Sequence, residues 1–252
     1  MNKYLILFFI ILFVWSYFIE PNLLVVTKYK VPNLDGKKIV FVSDFHIARR
    51  DKNRLKRIVK LINKQNPDLV ISGGDYIKGH DGKTTLPIET QVKELEKIKA
   101  PIISVLGNHD GWYDKYRVKS ALENHGIKVL SNSNTKVDNL YISGVEDMQT
   151  GNPNIKTALE NTTSPRILVS HTPDVYYDVK DSVDLILAGH VHGGQIKIPF
   201  IGPLIVPSKY GTKFACGKFK DTQNTMIVSK GLGTSILSLR FNAIPEIVVI
   251  EE

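Results

Sequence analysis

Cysteine is nearly absent. Cys216 is the only one in 252 residues, so neither an intrachain disulfide nor a thiolate metal cluster can form. That usage fits a reducing compartment. Low-complexity segments and internal repeats are missing as well. Acidic residues are outnumbered, 25 against 33 Lys and Arg, and the net charge of +8 points to anionic partners: phosphates, nucleic acid or an acidic membrane surface. Charge alone does not choose among them. The 42% hydrophobic content is ordinary for a globular chain and supplies a sizeable core, within one large domain.

Long apolar runs are missing too, with one exception. Tyr4 to Ile19, YLILFFIILFVWSYFI, is sixteen residues without a charge, ended by Pro21. A spanning helix wants ~20 such residues, so this one is short. A secretory signal is disfavoured, because Phe18-Ile19-Glu20 offers no small-residue cleavage site and no twin arginine precedes the run. Residues 1–21 are therefore expected to be a membrane anchor or an interfacial helix, with Trp15 and Tyr17 near one boundary, and residues 22–252 the catalytic domain. Lys28, Lys30, Lys37 and Lys38 follow the run and only Lys3 precedes it. The positive-inside bias then places the body on the cytoplasmic side of the cell (inner) membrane.

The body alternates short apolar runs with amphipathic stretches. Residues 38–42, 68–72, 102–106, 166–170 and 184–188 read as buried strands. Helices are expected over 52–65, 88–99 and 115–124, with Gly126 available to stop the last. Strand and helix in alternation give an α/β layered fold. Later runs at 196–198, 226–229 and 247–250 read as further strands of a second sheet.

Each of the five strands runs into potential metal ligands. They read Ser43-Asp44-Phe45-His46, Gly73-Gly74-Asp75, Gly107-Asn108-His109-Asp110, Ser170-His171-Thr172 and Gly189-His190-Val191-His192. Loops at the carboxyl ends of strands in open α/β sheets converge on one cleft. Five of the seven histidines lie in these loops, and His80 and His125 read as surface residues. Residues i and i+2 of an extended segment share a side, so Asp44 with His46, and His190 with His192, can face one cavity. Imidazole, carboxylate and amide oxygen together suit borderline-to-hard divalent ions. The donors exceed one tetrahedral site, and two metals with a bridging carboxylate would use them all. Each block by itself is weak: Gly-Asp is commonly a turn, and the Asn and Asp of Gly-Asn-His-Asp can cap a helix. Five in order, each behind a buried strand, leave coincidence little room.

At these residues the sequence resembles the calcineurin-like metallophosphoesterases, whose blocks run D-x-H, G-D, G-N-H-[DE], a lone His and G-H-x-H. GHVHGGQ at 189–195, Lys230-Gly231-Leu232-Gly233-Thr234-Ser235 and Arg240-Phe241-Asn242 look like a membrane-linked bacterial branch similar to UDP-2,3-diacylglucosamine pyrophosphatases. The resemblance implies a four-layer αββα sandwich of two mixed sheets with a dinuclear site at one edge. It implies that Asp44, His46 and His192 hold one metal, that Asn108, His171 and His190 hold the other, and that Asp75 bridges. Mn²⁺ is the first choice for both ions, with Fe, Zn or Mg as alternatives. The implied reaction is hydrolysis of a phosphodiester or pyrophosphate by metal-held hydroxide. His109, beside a ligand, would stabilise the transition state or protonate the leaving oxygen.

There is a departure. Protein phosphatases extend the second block as GDxxDRG, whereas Lys78 stands here where the second Asp would be. The acid that orients the histidine corresponding to His109 is thus absent, which argues against a protein phosphatase. The expected substrate is lipid- or nucleotide-linked, UDP-2,3-diacylglucosamine being the type. A nuclease on the same fold is the alternative, with Arg49, Arg50, Lys52 and Arg54 near the first loop, although an anchor gives nucleic acid binding no evident benefit. A non-catalytic scaffold is a third reading, and the full set of ligand types counts against it. The apolar residues Phe200, Ile201, Leu204, Ile205 and Val206 read either as core and strand packing or as the wall of an apolar substrate groove.

Overall fold

A computed structural model describes residues 3–180, 183–222 and 224–252. Its strands, in chain order, are β1 (Val25–Lys30), β2 (Ile39–Val42), β3 (Leu69–Ser72), β4 (Ile102–Ser104), β5 (Lys128–Val129), β6 (Ser133–Val137) and β7 (Leu140–Gly144), then β8 (Arg166–Val169), β9 (Leu185–Ala188), β10 (Lys197–Ile198), β11 (Gly202–Pro203), β12 (Gly217–Lys220), β13 (Thr225–Val228) and β14 (Glu246–Glu251). The helices are α1 (Lys3–Val14), α2 (Lys52–Lys64), α3 (Ile88–Leu95), α4 (Asn108–Glu123) and α5 (Ile155–Leu159).

Two six-stranded sheets form, in the orders β1-β14-β2-β3-β4-β5 and β12-β13-β9-β8-β7-β6. Both are mixed. β14 runs antiparallel to β2 within the otherwise parallel first sheet, and β12 and β6 are the antiparallel edges of the second. The expected strands pair as parallel neighbours: β2 with β3, β3 with β4, and β8 with β9. The four-residue runs of β2, β3 and β9 are buried on both faces, as central parallel strands must be.

Three apolar clusters mark the layers. One lies between α2, α3, α4 and the outer face of the first sheet, with Leu55, Ile58, Val59 and Ile62 of α2 against Val40 and Val70. Those four side chains recur at 3.6-residue spacing, and each contributes about 2 kcal/mol on burial. The second cluster fills the space between the sheets, with Phe41, Ile71 and Val248 against Ile142, Ile167 and Leu187. The third covers the outer face of the second sheet, where Tyr176 and Phe214 on short 3₁₀ turns join α5. The result is the expected αββα sandwich, with a thin fourth layer.

Several expectations need correction. The run at 247–250 belongs to the first sheet, as β14, and the run at 196–198 forms only a two-stranded ribbon with β11. Of the three late runs, only Met226–Val228 joins the second sheet. α3 ends at Leu95, four residues early. α4 begins at Asn108 rather than Lys115, with non-helical angles at Asp114 (φ −176°, ψ 91°). Its first turn carries polar residues of the third block, which hides the helix from apolar periodicity. Phe200, Ile201, Leu204 and Ile205 are exposed and do not pack as core.

α1 continues through a π turn (Trp15–Ile19) and a 3₁₀ turn (Glu20–Asn22). Together, Lys3–Asn22 is long and apolar enough to cross a membrane by length and composition. None of the α1 residues is buried. Its end is fastened to the body by buried Glu20, which accepts hydrogen bonds from Trp15 Nε1 at 2.7 Å, Asn242 N at 3.0 Å and Ala243 N at 2.6 Å.

Candidate metal centre

All five blocks lie where β2, β3, β4, β8 and β9 end, and the two sheets bring those ends to one edge. Asp44, His46, Asp75, Asn108, His109, His171, His190 and His192 are all buried. All but Asn108 form three overlapping groups whose candidate ligand atoms lie within 4.8 Å of one another: Asp44, His46 and His192; His46, Asp75 and His109; Asp75, His171 and His190. Asp75 is common to two of them. Its Oδ2 is 3.3 Å from both His46 Nε2 and His171 Nε2. Asn108 Oδ1 lies 2.9 Å from His171 Nε2. The histidine pair after β9 is divided, His190 falling with Asp75 and His171, and His192 with Asp44 and His46.

The turns that aim these groups are not extended strand. Asp44 (φ 56°), His46 (φ 40°), Asp75 (φ 59°), His190 (φ 70°) and His192 (φ 52°) all sit in the left-handed region. Each such non-glycine conformation costs about 1–2 kcal/mol. Pairing of i with i+2 thus comes from successive left-handed kinks rather than from strand alternation. Two glycines give the turns room. A Cβ on Gly107 would lie 2.2 Å from Asp75 Oδ1, and one on Gly189 would lie 2.0 Å from Ser43 Oγ and 2.6 Å from Asp44 Oδ2.

Three histidines are oriented by backbone carbonyls. Nδ1 of His46 faces Ile77 O at 2.8 Å, that of His171 faces Gly73 O at 2.7 Å, and that of His109 faces Gly79 O at 2.9 Å. Donation from Nδ1 to each carbonyl leaves the Nε2 lone pair pointing inward, the arrangement a metal ligand needs. His46 Nε2 is buried without a hydrogen-bond partner, its 3.3 Å approach to Asp75 lacking hydrogen-bond geometry. His190 turns the other way. Its Nδ1 is 3.2 Å from His171 Nε2, and its Nε2 is 3.3 Å from Gln149 Nε2.

Charge in this cluster is unbalanced without a cation. Burial pushes Asp44 up to about 6. Burial would also raise Asp75, yet His171, with His46 and His109, holds it well below the carboxylate range. His171 is raised to about 10 because Asp75 and Asp44 outweigh its burial. His46 is lowered to about 3 by burial, and His190 to about 4 by burial and His171. His192 is also low, through burial, His46 and Arg240. Neutral imidazoles around buried carboxylates, with one proton on His171 supplying the missing positive charge, form a donor set that fits divalent cations.

Several residues named in the sequence take on contacts there that sequence reasoning did not assign. Asp110 accepts hydrogen bonds from the backbone N–H of Gly107 (3.0 Å), Asp75 (2.8 Å), Tyr76 (2.9 Å) and Ile77 (3.2 Å). It caps α4 and fixes the Asp75 loop together. Arg240, fully buried, donates to the carbonyls of Gly233, Lys230 and Ala243, and so braces the loop that crosses Asp44. Lys78, standing where protein phosphatases carry Asp, binds Thr234 O at 2.9 Å and Oγ1 at 3.0 Å. The next residue, Ser235, brings its Oγ within 3.3 Å of His109 Nε2. Gly79 O, not an acid, therefore orients His109. Backbone carbonyls carry no side-chain signal in a sequence, so this partner was invisible there. His80 is exposed as expected, but its ring is 5.2 Å from His109 and 4.4 Å from Trp112, which places it on the rim of the cleft. Arg54 is withdrawn from the basic patch, its guanidinium donating to Pro21 O and Leu232 O.

Fold and site together define a metal-dependent phosphoesterase, and residues 37–194 match the family model for calcineurin-like phosphoesterases; the chain belongs to that family. The metallophosphoesterase YkuE of Bacillus subtilis (strain 168) is 32% identical over 253 aligned residues, covering 93% of this chain and 87% of that protein. The phosphodiesterase YaeI of Escherichia coli (strain K12) is 27% identical over 252 residues, covering 95% and 92%. Among solved structures, a dimetal phosphatase from Danio rerio superimposes with a TM-score of 0.53 at 13% identity, covering 78% of this chain and 88% of that one, a likeness of fold.

Proposed function

We propose that the chain is a membrane-associated phosphodiesterase or pyrophosphatase with two divalent ions, acting on a lipid- or nucleotide-linked substrate. The observation that carries this reading is the chain of three overlapping buried His/Asp groups at neighbouring strand ends, linked through His46 and Asp75. On this reading Asp44, His46 and His192 hold one ion, Asn108, His171 and His190 hold the second, and Asp75 serves both. Ions bound there supply Lewis acidity and the activation of water for in-line attack on phosphorus.

The residues do the rest. His46 and His171 present Nε2 because Nδ1 is committed to a carbonyl. Asp75 stays ionised and accepts from His109 N at 2.9 Å, so the bridging carboxylate and the proton-transfer histidine share one hydrogen bond. Donation from Nδ1 to Gly79 O leaves Nε2 of His109 as the nitrogen facing the cleft, from which the doubly protonated ring would hand a proton to the leaving oxygen. Manganese is the first choice of metal. The apolar segment Lys3–Asn22 and the net charge of +8 support a substrate at the membrane, with the domain on the cytoplasmic side of the inner membrane.

The test is a substrate panel on Mn²⁺-reconstituted protein that includes UDP-2,3-diacylglucosamine. Release of UMP is expected. Good turnover of a generic diester such as bis-p-nitrophenyl phosphate without UMP release removes that substrate. Turnover of DNA or RNA that falls steeply with salt would favour the nuclease reading instead.

A further inference from the structure

The apolar residues past the last metal block face solvent. β10 and β11 form a hairpin whose tip is Pro199-Phe200-Ile201. Phe200 is 109% exposed, Ile205 78% and Ile201 75%, while in the neighbouring loop Ile236 is 93% exposed. Leu204 and Leu237 extend the same surface. Phe200 also holds a left-handed backbone angle, φ 67°, where a bulky aromatic is rare. The fold gains nothing from a large apolar side chain in a strained turn, pointing into water. Soluble surfaces rarely cluster such residues unless another apolar phase covers them.

The covering phase is indicated by α1. Phe8, Phe9 and Phe13 of that helix line an apolar crevice with Ile198, Leu239 and Phe241, so the helix leans on the base of this hairpin. Arg240 N donates to Ser16 O at 2.9 Å and Lys197 N of β10 donates to Phe241 O at 2.8 Å, so residues 240–241 tie the helix segment to the hairpin. The hairpin surface thus continues the one helix, among the described residues, that is apolar enough to cross a membrane. The chain is basic overall, which suits anionic headgroups. The surface is also tied to the site. Gln195 accepts from Ser235 N at 3.0 Å, donates to Leu237 O at 2.8 Å, and through its own N–H bonds His192 O at 3.0 Å. One residue therefore separates the His192 turn from the apolar loop.

We propose that the β10–β11 hairpin and the loop around Ile236 form a second bilayer-inserting element beside α1. It seats the mouth of the metal centre on an anionic membrane, so that the phosphoester is drawn from the lipid interface. This deepens the proposed function and rests on its membrane-associated, phosphoesterase reading.

The test uses the full chain in phosphatidylglycerol-containing vesicles. With Cys216→Ser as background, Phe200→Cys and Ile236→Cys are each labelled with an NBD fluorophore. Lys136→Cys, exposed at the far end of β6, is the control. A blue shift and quenching by acyl-chain spin-labelled lipid are expected at 200 and 236 and not at 136. Water-like emission at both positions overturns the proposal. So does a blue shift without lipid quenching, which would mean that a second protein copy covers the surface. Because both labels replace apolar side chains, unlabelled Phe200→Asp/Ile236→Asp is run alongside. Its UMP release from vesicle-borne UDP-diacylglucosamine, relative to turnover of bis-p-nitrophenyl phosphate, should fall about tenfold or more. An unchanged ratio would also overturn the proposal. Embedded probes with no UMP release by the unsubstituted chain would instead remove the substrate reading and leave the docking surface standing.

Discussion

Removing the metals should make stability fall with rising pH above neutrality, and the slope can be worked out from His171. Its folded value is raised to about 10, against the ordinary 6.5, by Asp75 and Asp44. A group raised on folding contributes stability that is complete below its unfolded value and is lost as pH climbs through its folded value. The other buried groups of the cluster finish titrating earlier. Asp44 is half-ionised near 6 and Asp110 near 7, so both are essentially ionised by about pH 8, while His46 and His190, at about 3 and 4, act only below the ordinary histidine range. Between about pH 8 and about pH 9, one proton on His171 therefore dominates, at about 1.4 kcal/mol per pH unit. Over that window the metal-free protein should lose about 1.4 kcal/mol, equivalent to a Tm drop of roughly 3–5 °C for a chain of this size. With metal bound, Nε2 of His171 carries no proton and the slope should vanish. His171→Gln should flatten the metal-free slope as well. The assay is a thermal melt of chelated and Mn²⁺-loaded protein across this window. Equal slopes in the two forms, or a flat metal-free profile, would refute the charge argument.

Three further outcomes are expected. His109→Ala should lower kcat on bis-p-nitrophenyl phosphate by ~10²–10⁴-fold while metal content, read by elemental analysis, stays at the wild-type level; unchanged turnover would remove His109 from the proton-transfer role. Asp110→Ala leaves the N–H groups of Gly107, Asp75, Tyr76 and Ile77 without their acceptor, so denaturant unfolding should show a loss of at least ~3 kcal/mol, together with weakened metal retention. Glu20→Ala removes three hydrogen bonds, two of which fasten the α1 segment to the body at Asn242 and Ala243, at a cost of about 1–3 kcal/mol, and should open a protease site near residues 20–24 that is protected in the wild type.

Much of the site was legible because its chemistry admits few residue types. Carboxylate, imidazole and amide oxygen had to appear after buried strands, and apolar runs such as Leu69–Ser72 and Leu185–Ala188 announced those strands directly. The loops were legible and their geometry was not. Alternation along an extended segment suggested that Asp44 and His46 share a side. They do fall in one group, but through left-handed kinks that residue identity does not reveal. His80 read as a surface residue and is one, yet it stands beside His109 and Trp112 because the β3 loop folds back over the start of α4.

By itself, then, the sequence determined the donor inventory, the strand–loop order that delivers it, and the apolar start of the chain. Only the tertiary structure decided which donors meet, that Asp75 sits between two histidine groups, and that Gly79 O orients His109 where an acid would otherwise stand. It also decided that Phe200 and its neighbours face outward instead of packing. The physical reason is common to all of these. Residue types record local chemistry, whereas a carbonyl's direction, a kink's sign or a side chain's exposure depends on what distant parts of the chain place beside it.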